Sequence, residues 1–240
     1  MAKYVLIILI SVFALPSMAQ EEWKDMLCED TCKHVHGIDL SHYQGNVAWS
    51  TIGENRKMAY VYIKATEGGD NVDNKYAENL RKAKASGLKV GSYHFFRPKT
   101  PLQKQFDNFT AQCKAEDQDL IPMIDIETKA GLADSVFRDS LMTFLVMIEE
   151  HYRQKPLLYT GANFYDKYLS GGLIDEYKIM IAQYTDYEPT LCDERSITLW
   201  QYTGKGSIGG VKGHVDKSRF MGNHGLREIR YKPSPHRKSN

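Results

Sequence analysis

The strongest constraint on the fold of this 240-residue chain is an alternation in its pattern. Short apolar runs rich in β-branched and aromatic residues are separated by stretches with helical spacing. The runs predict eight strands: His36 to Leu40, Ala59 to Ala65, Lys89 to Phe95, Leu120 to Ile126, Pro156 to Tyr159, Lys178 to Gln183, Ile197 to Tyr202 and His214 to Asp216. Helices are expected between several of them. Asn74 to Ser86 places Tyr76, Leu80 and Ala83 on one stripe and stops at Gly87. Thr100-Pro101 opens a second helix, with Leu102, Phe106, Phe109 and Cys113 inward. Asp134 or Ser135 opens a third, with Val136, Phe137, Leu141, Phe144, Leu145, Ile148 and Tyr152 inward, closed off by Lys155-Pro156. Later connections are shorter and richer in glycine. The pattern is α/β and suggests a parallel, TIM-like barrel that is incomplete on its later side. An open doubly wound sheet is disfavoured because no GxGxxG loop follows the first strand.

Polar residues gather at the ends of these strands. Asp39 ends the first, Glu67 follows the second, His94 lies near the end of the third, and Asp125 and Glu127 end the fourth. Tyr159, Gln183 with Tyr184, Gln201 and Asp216 do the same for the fifth to eighth. In a parallel barrel all carboxyl ends open on one face, so these scattered residues converge on one pocket. Asp125 and Glu127 are two apart on a strand, so they share a face, about 7 Å apart along the backbone, while Ile124 and Ile126 point away. Neighbouring carboxylates raise each other's cost of ionisation, so one can keep a proton while the other stays charged. That is the equipment for acetal cleavage. Tyr43, Tyr93, Phe95, Tyr159 and Trp200 can stack on sugar rings, and Gln44 and Gln201 can bond hydroxyls. For Phe95 and Trp200, core packing explains the residue equally well. His34, His36, His42 and His94 lack HExxH spacing, so no metal and no cofactor is expected.

The amino terminus has the form of a secretory signal. Lys3, an apolar run from Tyr4 to Leu15 and the small-residue site Pro16-Ser17-Met18-Ala19 predict a signal peptide over residues 1–20, followed by a lead-in over 21–35. The product is expected to be secreted or periplasmic, with no stable membrane insertion after cleavage. A single domain over 36–222 and a flexible basic tail over 223–240 complete the expected plan. The net charge of +1 gives no reason to expect a nucleic-acid partner, and a monomer is expected. Cys28, Cys32, Cys113 and Cys192 allow three disulfide pairings in an oxidising compartment. A local Cys28–Cys32 loop would leave Cys113 with Cys192.

Seven motifs also occur in the order seen in family 25 glycoside hydrolases. They are Gly37-Ile38-Asp39-Leu40-Ser41-His42-Tyr43-Gln44-Gly45, Tyr62-Ile63-Lys64-Ala65-Thr66-Glu67-Gly68, Gly91-Ser92-Tyr93-His94-Phe95-Phe96, Met123-Ile124-Asp125-Ile126-Glu127, Leu158-Tyr159-Thr160, Leu199-Trp200-Gln201-Tyr202 and Val215-Asp216. Over about His36 to Phe220 the chain resembles the Chalaropsis-type lysozymes. The resemblance implies a modified barrel, roughly (β/α)5(β)3, that hydrolyses the β-1,4 bond between N-acetylmuramic acid and N-acetylglucosamine in peptidoglycan. It implies Glu127 as general acid and base, and Asp125 assisting the substrate's 2-acetamido group. Asp39 and Asp216 would be further catalytic acids, with Tyr43, Gln44, Glu67, Tyr93, His94, Tyr159 and Gln201 binding substrate. One departure is Val215-Asp216-Lys217-Ser218, where many relatives have asparagine in the fourth place. A glycan-binding barrel without activity and a chitinase-like hydrolase are the alternatives. Intact Asp125 and Glu127 oppose the first, and the missing Asp-x-x-Asp-x-Asp-x-Glu strand opposes the second.

Overall fold

A computed structural model describes residues 35–232. The expected signal peptide, most of the lead-in, Cys28 and Cys32 lie outside the described residues. In chain order the strands are β1 (His36–Leu40), β2 (Met58–Glu67), β3 (Asn71–Val72), β4 (Lys89–Phe95), β5 (Met123–Asp125), β6 (Leu157–Gly161), β7 (Ile179–Ala182), β8 (Leu199–Gly206) and β9 (Val215–Phe220). The main helices are α1 (Trp49–Glu54), α2 (Tyr76–Ala85), α3 (Leu102–Gln112) and α4 (Asp134–Tyr152).

The strand order β1-β9-β8-β7-β6-β5-β4-β2 closes on itself because β1 also pairs with β2. All neighbours from β1 through β8 in that ring are parallel except those of β9, which is antiparallel to both β8 and β1. The barrel is closed and is the modified TIM-like barrel expected, but its last strand is antiparallel where a parallel one was expected. The reversed strand β9 fills the gap, reached from β8 by the glycine-containing turn 207–214 and not by a crossover helix. β3 is a short flap folded back on the end of β2.

Strand alternation divides the core in two. Residues pointing outward, such as Ile38, Val61, Ile63, Val90, Ile124, Ile126, Leu158, Ile179 and Ile181, pack against the helices. From α4 come Phe137, Leu141, Phe144, Leu145, Ile148 and Tyr152, spaced as an amphipathic helix requires. Val136 does not join them and is 54% exposed. Residues pointing inward fill the lumen: Tyr60, Tyr62, Met123, Leu157, Tyr159, Met180, Leu199 and Phe220. Two glycines make room for the large rings. A Cβ on Gly37 would lie 2.0 Å from the Tyr60 ring, and one on Gly91 would lie 2.4 Å from the Tyr62 ring. Each tyrosine hydroxyl is bonded within the core, Tyr60 to Ser218 Oγ at 2.9 Å and Tyr62 to the Ile121 carbonyl at 3.1 Å.

The end of the barrel opposite the strand carboxyl ends is closed by the segment after β9, which corrects the reading of a flexible tail from residue 223. Leu226–Ile229 forms a 3-10 turn, Ile229 is fully buried, and Arg230 bridges to Leu120. Tyr231 N–H donates to the Asp119 carbonyl and its hydroxyl to the Tyr152 carbonyl. His224 links Glu228 at 2.6 Å to Ser196 at 2.8 Å and so ties the turn to the barrel. A second correction concerns the cysteines. Cys113 is buried at the end of α3, Cys192 is exposed, and both are free thiols.

Replacing Gly37 by alanine forces the buried Tyr60 ring to move. Gly37→Ala is expected to cost about 1–3 kcal/mol in urea unfolding. An unchanged unfolding midpoint would contradict the packing described.

Candidate active site

The cleft at the carboxyl ends of the strands is lined by Asp39, Asp125, Glu127 and Asp216 together with Tyr43, Gln44, Tyr93, Phe95, Tyr159 and Gln201. Lys64, Met123, Leu40 and Ser41 complete it. Nine of the eleven residues singled out from sequence line this cleft; Glu67 and His94 do not.

Asp216 reaches the rim by a route the alternation did not suggest. It is the second residue of β9, not the last of a parallel strand. Because β9 runs backwards, its start lies where the other strands end, and Asp216 pairs directly across from Asp39. Like charges directly opposite each other on a sheet repel. Asp39 is buried, and that burial, reinforced by Asp216, pushes its carboxyl up to about 8. Asp216 is pushed up to about 6, by burial first and then by Glu127. Gln201 moderates Asp39. Its Nε2 donates to Asp39 Oδ2 at 2.9 Å, and its Oε1 accepts from the hydroxyls of Tyr159 at 2.9 Å and Tyr184 at 2.8 Å. The two hydroxyls fix the amide so that only its N–H face is presented to Asp39.

Asp125 and Glu127 stand side by side, within hydrogen-bonding reach of one another. Asp125 is buried and its Oδ1 has no protein partner, whereas Glu127 stands at the mouth, exposed as a residue but with its carboxyl partly desolvated by the cleft. Burial raises both carboxyls, and Glu127 raises Asp125 further. Asp125 lies the deeper of the two, and a pair this close titrates as a unit.

Tyr43 stands 80% exposed on a 3-10 turn, His42–Gln44, that is firmly tied down. Ser41 Oγ accepts from Tyr43 N–H, and Gln44 Oε1 accepts from Ser41 N–H at 3.0 Å, forming a capping box. Gln44 Nε2 donates to the His214 carbonyl, and His42 is held by Asp73 at 2.8 Å. The exposed ring is therefore presented on a fixed mount.

His94 lies on the outward side of β4, between the cleft-facing Tyr93 and Phe95, because strand neighbours alternate. It is fully buried, bonded to Thr66 Oγ1 at 2.7 Å and Gln105 Oε1 at 3.2 Å, and burial pushes it down to about 4, so it is a neutral peg. Glu67 lies outside the cleft, bonded to Lys64 and Arg97. Trp200 packs in the outer core, where its indole N–H donates to the Gln183 carbonyl at 2.7 Å. The residue that the sequence reading missed is Lys64. Among the described residues no group of three or more His, Cys, Asp or Glu side chains is arranged to hold a metal ion.

Two outcomes follow from this geometry. Asp39 has a raised folded pKa, so its contribution to stability is full below its unfolded pKa near 4 and is lost as pH rises through about 8. Asp39→Asn removes that loss, so the variant's melting temperature should exceed wild type by roughly 2–4 °C at pH 8, with the gap closing toward pH 4. A gap independent of pH would contradict the assignment. His94→Ala leaves the Thr66 and Gln105 groups without their buried partner and should lower stability by about 2–4 kcal/mol in chemical unfolding. A neutral result would show that His94 is not a structural peg.

Comparison with known proteins agrees with this architecture. The model for glycosyl hydrolases family 25 matches residues 38–211. "Lysozyme M1" of Streptomyces globisporus is 29% identical over 201 residues, covering 78% of this chain and 68% of that protein. A family 25 glycosyl hydrolase structure from Bacillus anthracis superposes with a TM-score of 0.70 at 32% identity, covering 79% of this chain and 89% of that one. A bacterial lysozyme structure from Streptomyces coelicolor gives a TM-score of 0.72 at 28% identity, covering 81% and 94%. The chain belongs to glycosyl hydrolases family 25 and is a glycoside hydrolase.

Proposed function

We propose that the protein is a muramidase that hydrolyses the β-1,4 bond between N-acetylmuramic acid and N-acetylglucosamine in peptidoglycan, and that it acts after export. The observation that carries this reading is the Asp125–Glu127 pair, raised by burial and set in an open cleft walled by tyrosines. The names of the relatives, lysozymes among them, support the substrate class. The composition of residues 1–20 supports export.

In the reaction, a glycan laid across the cleft stacks on Tyr43 and displaces the water around Glu127. Desolvation raises Glu127 further and favours the shared proton there. Glu127 delivers that proton to the glycosidic oxygen as the bond to the anomeric carbon breaks. The carbonyl oxygen of the 2-acetamido group attacks that carbon, forming an oxazolinium ring whose positive charge Asp125, now ionised, offsets. Water then adds to the anomeric carbon, gives its proton to Glu127 and reopens the ring. Carboxylate-spacing rules for enzyme nucleophiles do not apply to this assisted route. Asp39 and Asp216 keep the floor of the cleft acidic, and Gln201 fixes Asp39.

Glu127→Gln cannot donate the proton and should lower release of reducing muramic-acid ends from purified peptidoglycan by about 10²–10⁴-fold with the fold intact. An active variant would refute the role of Glu127. A wild-type protein that binds peptidoglycan and releases nothing would refute the enzyme reading. Because burial raises the pair, the alkaline limb of kcat/KM should fall at a pH above the ordinary carboxylate range, where the last shared proton is lost.

A further inference from the structure

Among the described residues, Lys64 is the only cation whose side chain lines the cleft. On a regular strand a lysine three residues before Glu67 would point to the opposite face. The register between β2 and β4 slips at this point: Lys64 faces Tyr93 and Thr66 faces His94, which leaves Ala65 as an extra residue. A bulge of this kind re-aims the side chains after it, and here it brings Glu67 to the same side as Lys64. Lys64 Nζ donates to Glu67 Oε2 at 2.6 Å, with both side chains largely buried. Glu67 Oε1 accepts from Arg97 Nε at 2.9 Å and from Arg97 Nη2. Arg97 is in turn fixed by Gln105, which accepts from its backbone N–H at 2.9 Å and donates to its carbonyl at 3.0 Å. The guanidinium lies 4.4 Å from the Phe95 ring centre and the ammonium 5.3 Å from the same centre. The ammonium is thus mounted on the cleft wall and not free to follow solvent.

We propose that Lys64 is a positioning residue of the hydrolytic site, whose ammonium, mounted by Glu67 and Arg97, keeps the Asp125–Glu127 pair at one proton through the working pH range. The inference rests on the muramidase reading above. The groups facing the pair leave few other sources for this effect. Asp39 on β1 and Asp216 on β9 favour protonation of the pair, as Glu67 does. Tyr93 on β4, Tyr159 on β6 and Tyr184 after β7 are held neutral by burial. The opposing cations are Lys64 and, second to it at Glu127, Arg97. Without the ammonium, burial and the neighbouring acids favour two protons on the pair. A doubly protonated pair has no carboxylate to offset the oxazolinium or to take the proton from water.

The test compares wild type, Lys64→Met and Lys64→Arg. Lys64→Met should move both limbs of the kcat/KM profile on peptidoglycan to higher pH, by on the order of 0.5–1 unit, and Lys64→Arg should return them. A Lys64→Met profile that is lower but unmoved would overturn the proposal. An activity-free readout separates it from the muramidase reading: carbodiimide labels protonated carboxyls, and mass spectrometry reads the labelling of Glu127 against pH. Its midpoint should rise in Lys64→Met and return in Lys64→Arg even if wild type cuts no peptidoglycan, an outcome that would sink only the muramidase reading. Equal midpoints in all three proteins, each folded by circular dichroism, would reject the role of Lys64.

Discussion

Desolvation of carboxyl groups at one rim of the barrel is the interaction on which this site depends. Four acids meet in the cleft, and burial is the first cause raising each of them. Such an arrangement opposes folding at neutral pH, because a buried carboxylate without a cation or hydrogen-bond donors is expensive. Asp39 Oδ1 and Asp125 Oδ1 have no protein partner, so the cleft retains acceptor capacity that the fold itself leaves unused. A site that handles protons at a sugar oxygen needs carboxyls that still hold them, and here the protein environment supplies that condition.

The rest of the molecule bears this cost. The lumen below the acids is filled by Tyr60, Tyr62, Met123, Leu157, Met180, Leu199 and Phe220, and the chain after β9 seals its far end with Ile229. Around it, the helices cover the outward faces of the parallel strands. Closure by an antiparallel strand has a direct chemical result. It sets Asp216 opposite Asp39, which a parallel strand entering from the other end would not do with the same residue. The Gln201 amide, fixed by two tyrosine hydroxyls, is the floor's main counterweight to Asp39.

Much of the fold was legible because two periods differ. β1 and β4 have the bounds expected from their apolar runs, and α4 begins and ends at residues the pattern marks. The direction of β9 was not legible, since a short apolar run carries no sign of its polarity and the glycines before it are compatible with several turns. Residues 226–232 read as tail because Arg227, Arg230 and Lys232 dominate their composition, while Ile229 and Tyr231 do the docking. At the site, Tyr93 and His94 show the limit of counting along a strand: both lie near its end, and only the face tells cleft from core. Lys64 was hidden for a related reason. A bulge at Ala65 breaks the alternation that links it to Glu67, and a bulge leaves no reliable trace in composition.

The central claim, that burial raises these acids above the ordinary carboxylate range, can be measured directly by ¹³C NMR titration of the side-chain carboxyls in the wild-type protein. The account predicts that Asp39 titrates near 8 and Asp216 near 6. It also predicts that Asp125 titrates well above the ordinary aspartate range. Four carboxyls that all titrate below about 4.5, as unperturbed side chains do, would contradict it.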